Sequence, residues 1–148
     1  MCASLASGPI RRLYRDDIAA YLRFAQRLTP EDIRLRFGRV LRWSDACARD
    51  MLDEGDAFAA FDAWGEIIGV ARLVDGEIAL TVRSDLKRHG IGRKLLDHLV
   101  TYAVEHGMTQ LSGHFLAENH PALALAHRAG FRLEGNYGSL VELRLCLP

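Results

Sequence analysis

The chain has 148 residues, no formal net charge and an apolar fraction of 49%. That length is typical of one domain and is long enough to bury a hydrophobic core. The balanced charge favours neither a nucleic acid nor a membrane as partner, and no apolar run approaches the roughly 18 residues that span a bilayer. Three widely spaced cysteines form no zinc or disulfide pattern, so we expect a reduced, cytoplasmic protein without a metal.

The first part of the chain predicts a short strand followed by helices. Helix starts are indicated where an acid, Ser or Thr precedes apolar residues at helical spacing, and most strongly where Pro follows Thr. In chain order, the predicted elements are a loose leader over residues 1–8, a strand over 10–13, and helices beginning at Asp16 or Asp17, at Thr29-Pro30 and at Ser44-Asp45. The domain itself is expected to span residues 9–148.

The second part changes to strand periodicity and then alternates strands with helices. Asp75-Gly76 is a strong hairpin signal between two strands, and Gly107 and Gly130 follow predicted helices as end signals. The predicted strands are 57–62, 67–74, 77–82, 110–115, 131–133 and 140–147, and the predicted helices are 91–105 and 120–129. This order predicts a single α/β domain of the α+β type, with a mixed, mostly antiparallel sheet flanked by helices.

A basic, glycine-containing turn joins the strand at 77–82 to the long helix. It reads Lys87-Arg88-His89-Gly90-Ile91-Gly92-Arg93. Glycines at the start of a helix let the backbone approach a phosphate, and the first helical N–H groups are free to bind it. A Rossmann fingerprint is excluded because Leu95 stands where its third glycine belongs, and the Walker sequence is absent. A tight turn with solvated basic side chains remains the alternative to a phosphate site.

Two motifs together resemble the GNAT superfamily of acyl-CoA-dependent N-acyltransferases. The first is the family's pyrophosphate motif, [QR]xxGx[GA], which Lys87-Arg88-His89-Gly90-Ile91-Gly92 matches except for lysine at its first position. The second is an asparagine before a helix that ends in Gly-Phe, matched by Asn119 and Gly130-Phe131. The order of elements is also similar over residues 9–147. Residues 28–31 together with 35–37, and residues 69–73 and 122–126, further resemble Pat-type protein lysine acetyltransferases.

The resemblance implies acetyl-CoA as the co-substrate and assigns a role to each part of these motifs. The turn would bind the pyrophosphate, and the pantetheine arm would pair with the preceding strand, near Asn119. The implied cofactor-binding residues are Leu80, Thr81, Val82, Lys87, Arg88, His89, Gly90, Ile91, Gly92, Arg93 and Asn119. Asn119 is equally interpreted as a plain helix N-cap, a role compatible with the other.

Acyl transfer to an amine requires a base, and the resemblance implies Glu77 at the start of the strand before the turn. A backbone N–H of Leu80 or Thr81 would stabilise the developing oxyanion. Many relatives have a tyrosine acid in the helix after Asn119, but that position here is Ala126. Tyr137 and His127 are the possible substitutes.

The implied activity is N-acetylation of a primary amine by direct transfer from acetyl-CoA. The acceptor expected from the Pat-type resemblance is a protein lysine. The alternatives are a small-molecule amine, or a catalytically weak acyl-CoA-binding sensor, which Lys87 and Ala126 would favour. No nucleic-acid or membrane partner is expected, and the protein would be a monomer or a homodimer.

Overall fold

The computed structural model describes residues 9–31, 50, 52–83 and 90–148. Within them, seven strands form one mixed sheet in the order β1-β2-β3-β4-β5-β7-β6. The strands are β1 (Ile10–Arg12), β2 (Asp56–Phe61), β3 (Ile67–Val74), β4 (Glu77–Val82), β5 (Gln110–Leu116), β6 (Arg132–Tyr137) and β7 (Leu140–Cys146). The helices are α1 (Ile18–Gln26), α2 (Ile91–Glu105) and α3 (His120–Arg128), and a 3₁₀ turn at Arg15–Asp17 precedes α1.

The sheet is antiparallel except at its centre. Strands β1 to β4 form an antiparallel meander, and β5, β7 and β6 form a second antiparallel group. The hairpin between β3 and β4 turns through Asp75 and Gly76, which have φ angles of 50° and 82°. A two-residue turn with both φ angles positive matches the right-handed twist of the strands it joins, which confirms the hairpin prediction. The two groups meet only where β4 and β5 run parallel.

Helix α2 packs on one face of the sheet and supplies the centre of the main hydrophobic core. Leu95, Leu96 and Leu99 are at most 1% exposed, and they recur at the spacing that keeps one helix face on the sheet. Gly69 on β3 makes the close packing possible, because a Cβ there would lie 2.9 Å from Leu95 Cδ1 and 3.0 Å from Ile91 Cγ2. The packing of α2 therefore determines where the N-terminus of this helix lies relative to the sheet.

Truncating the centre of this core should destabilise the protein strongly. Leu99→Ala removes a fully buried side chain and leaves a cavity, since Leu99 is 0% exposed. We expect a loss of about 3 kcal/mol in the free energy of unfolding, measured by urea denaturation. Val104→Ala is the matched control, because Val104 lies on the same helix but is 40% exposed, and it should change stability by less than about 0.5 kcal/mol. Equal losses in both variants would contradict this description of the core.

Helix α1 packs on the opposite face of the sheet, and Asp17 organises its start. The Asp17 carboxylate accepts hydrogen bonds from the Arg11 guanidinium at 2.9 and 3.1 Å and from the Tyr14 N–H at 2.9 Å. Asp17 stands at the N-cap position of α1, as predicted, but its side chain makes no cap hydrogen bond to α1 and caps the 3₁₀ turn instead. Asp17 thereby ties the beginning of α1 to β1.

The hydrogen bonds from Arg11 lower the pKa of Asp17 below that of an ordinary carboxyl, with a further contribution from the Tyr14 N–H. A carboxyl whose pKa is lower in the folded than in the unfolded state stabilises the fold at pH values above its unfolded-state pKa of about 4. This stabilisation is lost as the pH falls from there through the lower pKa of the folded state. Asp17→Asn should therefore lower stability at pH 7 by up to about 1 kcal/mol, the upper range for a pair this exposed. In urea denaturation at pH 3 the difference from the unsubstituted protein should shrink, and an undiminished difference would contradict the assignment.

One sequence-based prediction differs from the structure. Between the predicted strands at 131–133 and 140–147, the hairpin was expected to turn over residues 134–138. Instead, β6 extends to Tyr137 and the turn is at Gly138-Ser139, because a bulge between Leu133 and Gly135 keeps β6 paired with β7. On the other side of the sheet, the centroid of the His98 ring lies 4.8 Å from that of Phe58, and the exposed His106 ring stacks on Tyr102 with centroids 3.9 Å apart.

Several predictions concern residues outside the described part of the chain. Pro30 and Glu31 are helical, in agreement with the predicted helix start at Thr29-Pro30. The leader at 1–8, most of the two helices predicted between residues 30 and 54, and the basic residues Lys87, Arg88 and His89 are not described. Among the described residues, no helix is long and apolar enough to cross a membrane, and no group of three metal-ligating side chains occurs.

Candidate acyl-transfer site

The two central strands separate shortly after they meet. Glu77 on β4 and Ser112 on β5 are the single pair of register partners between these strands in the described chain, and the Ser112 N–H donates to the Gly76 carbonyl at 2.9 Å. Beyond that pair, β4 remains bonded to β3 along its whole length and β5 to β7. The sheet thus contains a wedge-shaped gap, hereafter the β4–β5 gap, which opens from Glu77 toward Val82.

Strand alternation determines which backbone groups line this gap on β4. The Arg83 N–H donates to the Ile68 carbonyl of β3 at 3.1 Å, and the Gly76 carbonyl accepts from β5. In an antiparallel ladder the bonding direction alternates, so odd-numbered residues of β4 face β3 and even-numbered residues face β5. The backbone groups directed into the gap are therefore those of Ile78, Leu80 and Val82. The Thr81 N–H is directed toward β3, which narrows the predicted oxyanion donor to Leu80.

The same argument applies to β5 across the gap. The Leu147 N–H donates to the Thr109 carbonyl and the Ala117 N–H to the Ser139 carbonyl, both at 2.8 Å. Odd-numbered residues of β5 consequently bond to β7, and the backbone groups of His114 and Leu116 face β4. Both edges of the gap thus present main-chain donors and acceptors. An extended ligand could pair with them as an added strand would.

The start of α2 lies at the open end of the gap and has the features with which helix N-termini can bind anions. Gly90 precedes the helix with φ of 78°, and no side chain caps the helix. The first hydrogen bond within the helix runs from the Lys94 N–H to the Gly90 carbonyl at 3.1 Å. The N–H groups of Ile91, Gly92 and Arg93 therefore have no acceptor within the helix, and they lie at the positive end of its dipole.

The described residues leave space over this helix start. A Cβ built on Gly90 meets none of their heavy atoms within 4 Å. Gly92 serves a different purpose, because a Cβ there would lie 3.2 Å from Leu125 Cδ2 of α3 and 3.9 Å from Val82 Cγ2. Gly90 thus keeps the approach to the N–H groups open, and Gly92 allows α3 to close against the start of α2.

The remaining predicted cofactor-binding residues have well-defined surroundings. The Ile91 side chain is 3% exposed in the core, and the Arg93 guanidinium bonds to Asp97 at 3.0 Å along the helix, so both residues offer their N–H groups rather than their side chains. Asn119 is the N-cap of α3, where its Oδ1 accepts from the Ala122 N–H at 3.4 Å. The cap interpretation of Asn119 is confirmed.

Glu77 has a partner that sequence analysis did not connect with it. Its Oε2 lies 2.9 Å from Nδ1 of His114, and the side chains of Glu77 and His114 are 50% and 41% exposed. Along a strand, odd- and even-numbered side chains lie on opposite faces. Ile78 and Leu111 are buried in the hydrophobic core beneath α2, so Glu77 and His114 both lie on the other face of the sheet. The sequence predicted the two strands that carry these residues, but the register that brings Glu77 beside His114 is defined only by the structure.

The two side chains considered as general acids, His127 and Tyr137, each lie within hydrogen-bonding distance of another residue of the chain. Ala126 is 2% exposed and has no proton to give. The His127 Nδ1 lies 3.2 Å from the Phe131 carbonyl, and the Tyr137 hydroxyl donates to Glu142 Oε1 at 3.4 Å. No acid can be assigned from these contacts.

Comparison with known proteins agrees with this architecture. The model of the acetyltransferase (GNAT) family matches residues 12–131. The chain belongs to the GNAT family. It is accordingly an acetyltransferase, and the fold predicted from its sequence is the fold observed. The matched residues include the whole of the β4–β5 gap and the start of α2.

Three solved structures illustrate the range of proteins that share the fold. The GNAT domain of S. lividans PAT has a TM-score of 0.85 and 21% identity, over 93% of this chain and 89% of that one. A spermidine N-acetyltransferase from Vibrio cholerae, in complex with CoA and spermine, has a TM-score of 0.76 and 17% identity, over 93% and 94%. A phosphinothricin acetyltransferase from Sinorhizobium meliloti, in complex with AcCoA, has a TM-score of 0.77 and 17% identity, over 95% and 89%. The names of the last two give different acceptors, spermidine and phosphinothricin.

Proposed function

We propose that this GNAT protein transfers an acetyl group from acetyl-CoA to a lysine side chain of another protein, with Glu77 as general base. The observation that supports this most directly is the Glu77 carboxylate at the closed end of the β4–β5 gap. Its 50% exposure leaves it accessible to a side chain on a macromolecular partner. The sequence resemblance to Pat-type protein lysine acetyltransferases favours the lysine acceptor.

The residues present fit acetyl-CoA. Its pyrophosphate would be held by the N–H groups of Gly90 to Arg93, where the space over Gly90 is open, with Lys87, Arg88 and His89 as further contacts. Its pantetheine arm would pair with the backbone of Leu80 and Val82, with Asn119 nearby on α3. When bound, acetyl-CoA supplies the thioester whose acetyl group is transferred.

The chain's own residues would then move one proton and stabilise one charge. Glu77 takes a proton from the acceptor ammonium, directly or through a water, because an amine attacks only when it is neutral. The Leu80 N–H donates to the carbonyl oxygen as negative charge develops there. The N–C bond forms, the C–S bond breaks with its electron pair going to sulfur, and the second nitrogen proton goes to that sulfur. The products are the amide, the CoA thiol and protonated Glu77, which returns its proton to water.

The setting proposed for this reaction is the cytoplasm. Cys146 is an exposed free thiol, as expected in a reducing compartment.

The acceptor class can be tested by offering protein and small-molecule amines side by side. Purified protein is incubated with acetyl-CoA and with either lysine-containing peptides and proteins or polyamines, while CoA-thiol release and the intact mass of each acceptor are measured. We expect thiol release coupled to a mass gain of one acetyl group on lysine. Turnover with polyamines alone would replace the lysine proposal by a small-molecule one. Tight acetyl-CoA binding without turnover on any acceptor would favour the sensor alternative that Ala126 suggests.

A further inference from the structure

The Glu77–His114 contact lies where the chemistry of the proposed function would take place. Ser112 is the last residue of β5 in register with β4, and His114 is two residues further along the same face. The backbone of His114 faces the β4–β5 gap, while its ring reaches back to Glu77 at 2.9 Å. One residue of β5 therefore borders both the gap and the proposed base.

Carboxylates approach His114 from both neighbouring strands. Glu77 faces it from β4, and Glu142 is its register partner on β7, where directly opposed side chains lie on the same face. Glu142 has other partners, since its Oε1 accepts from the Tyr137 hydroxyl at 3.4 Å and its Oε2 lies 3.9 Å from the Arg144 guanidinium. Glu142 is thus held by Tyr137 and Arg144, and the imidazole hydrogen bond goes to Glu77.

We propose that His114 is a positioning residue for Glu77, an inference that rests on the function proposed above. In the tautomer with a proton on Nδ1, His114 donates to Oε2 of Glu77 and holds the carboxylate in one orientation, with Oε1 directed to the acceptor. The ammonium proton goes to Oε1 and then to water, and His114 keeps its own proton throughout. A flexible glutamate on an exposed strand would otherwise spend much of its time in other rotamers.

Two substitutions of His114 test this positioning. His114→Asn leaves an amide N–H near the position of Nδ1, whereas His114→Ala removes the donor. We expect kcat to fall by about tenfold for His114→Ala, the size of one half-exposed hydrogen bond to a charged group, and by less than about threefold for His114→Asn. KM for acetyl-CoA should not change in either variant.

Controls make the result specific to the pair. His106→Asn applies the same change to a histidine on the α2 side of the sheet and should leave kcat unaltered. In a double-mutant cycle, Glu77→Gln with His114→Ala should be no slower than Glu77→Gln alone, because His114 acts only through Glu77. Additive losses, or an unchanged kcat in both His114 variants, would overturn the inference. Wild-type turnover in Glu77→Gln would instead overturn the base assignment itself, so the two failures are distinguishable.

Discussion

Glu77→Gln is expected to lower kcat by about 10²- to 10³-fold near neutral pH, within the range that general-base catalysis supplies. Glutamine has nearly the size of glutamate and keeps an oxygen that can accept from His114, but an amide does not take a proton from an ammonium. The defect should shrink as the pH rises toward the ordinary lysine pKa of about 10.4, because the acceptor then loses its proton without help. Steady-state CoA-thiol release over this pH range measures the effect.

The loss in Glu77→Gln should appear in catalysis and not in binding. Calorimetric titration with acetyl-CoA should give the same Kd as the unsubstituted protein, since the Glu77 side chain lies outside the backbone groups that line the gap. Glu105→Gln makes the same exchange at the exposed end of α2 and should retain full activity. A Glu77→Gln variant that turns over at the wild-type rate at neutral pH would show that the base lies elsewhere.

Gly90→Val is expected to weaken acetyl-CoA binding by at least about tenfold. Gly90 has φ of 78°, a conformation that a β-branched residue avoids, so the backbone before α2 would have to change. That change reorients the N–H groups of Ile91 and Gly92, and hydrogen bonds to a charged group contribute about 1.5–3 kcal/mol each. Loss of one or two of them corresponds to roughly a tenfold to ten-thousandfold rise in Kd, measured by calorimetry.

Gly107→Val is the matched control for this substitution. Gly107 follows the other end of α2 and has φ of 73°. As at Gly90, a Cβ built there meets no atom of the described chain within 4 Å. Both variants introduce the same backbone strain, so thermal unfolding should shift by a similar amount in each. Only Gly90→Val should lose affinity. Equal affinity in the two variants would mean that the pyrophosphate is held somewhere other than the start of α2.

Local signals explain why so much of the fold was predicted correctly. Asp75-Gly76 can form a two-residue turn with positive φ angles at low cost, and the leucine spacing of α2 leaves one apolar face that must be buried. These properties act over a few residues. The prediction of a turn over residues 134–138 was wrong because here pairing with another strand outweighs the local signals. Gly135, Asn136 and Gly138 are local turn signals, but pairing with β7 and a bulge extend the strand to Tyr137.

The candidate site likewise combines features that short segments of sequence predict with one contact that they do not. The glycines before α2 and the asparagine before α3 are motifs within short segments, so their roles as helix start and helix cap could be predicted from sequence. The contact between Glu77 and His114 joins residues that are 37 positions apart. It depends on the register of two parallel strands, which a shift of one residue would turn to the other face.

The sequence by itself determined that this chain forms an α+β domain whose long helix begins at a glycine-containing turn, because periodicity, turn residues and the motif at Gly90 are local properties. The tertiary structure decided three further features: that β4 and β5 separate beyond Glu77, that Leu80 rather than Thr81 directs its N–H into the gap, and that His114 meets Glu77. All three depend on how strands distant in the chain align. That alignment is determined by burial of the whole sheet against α1 and α2, not by any one segment.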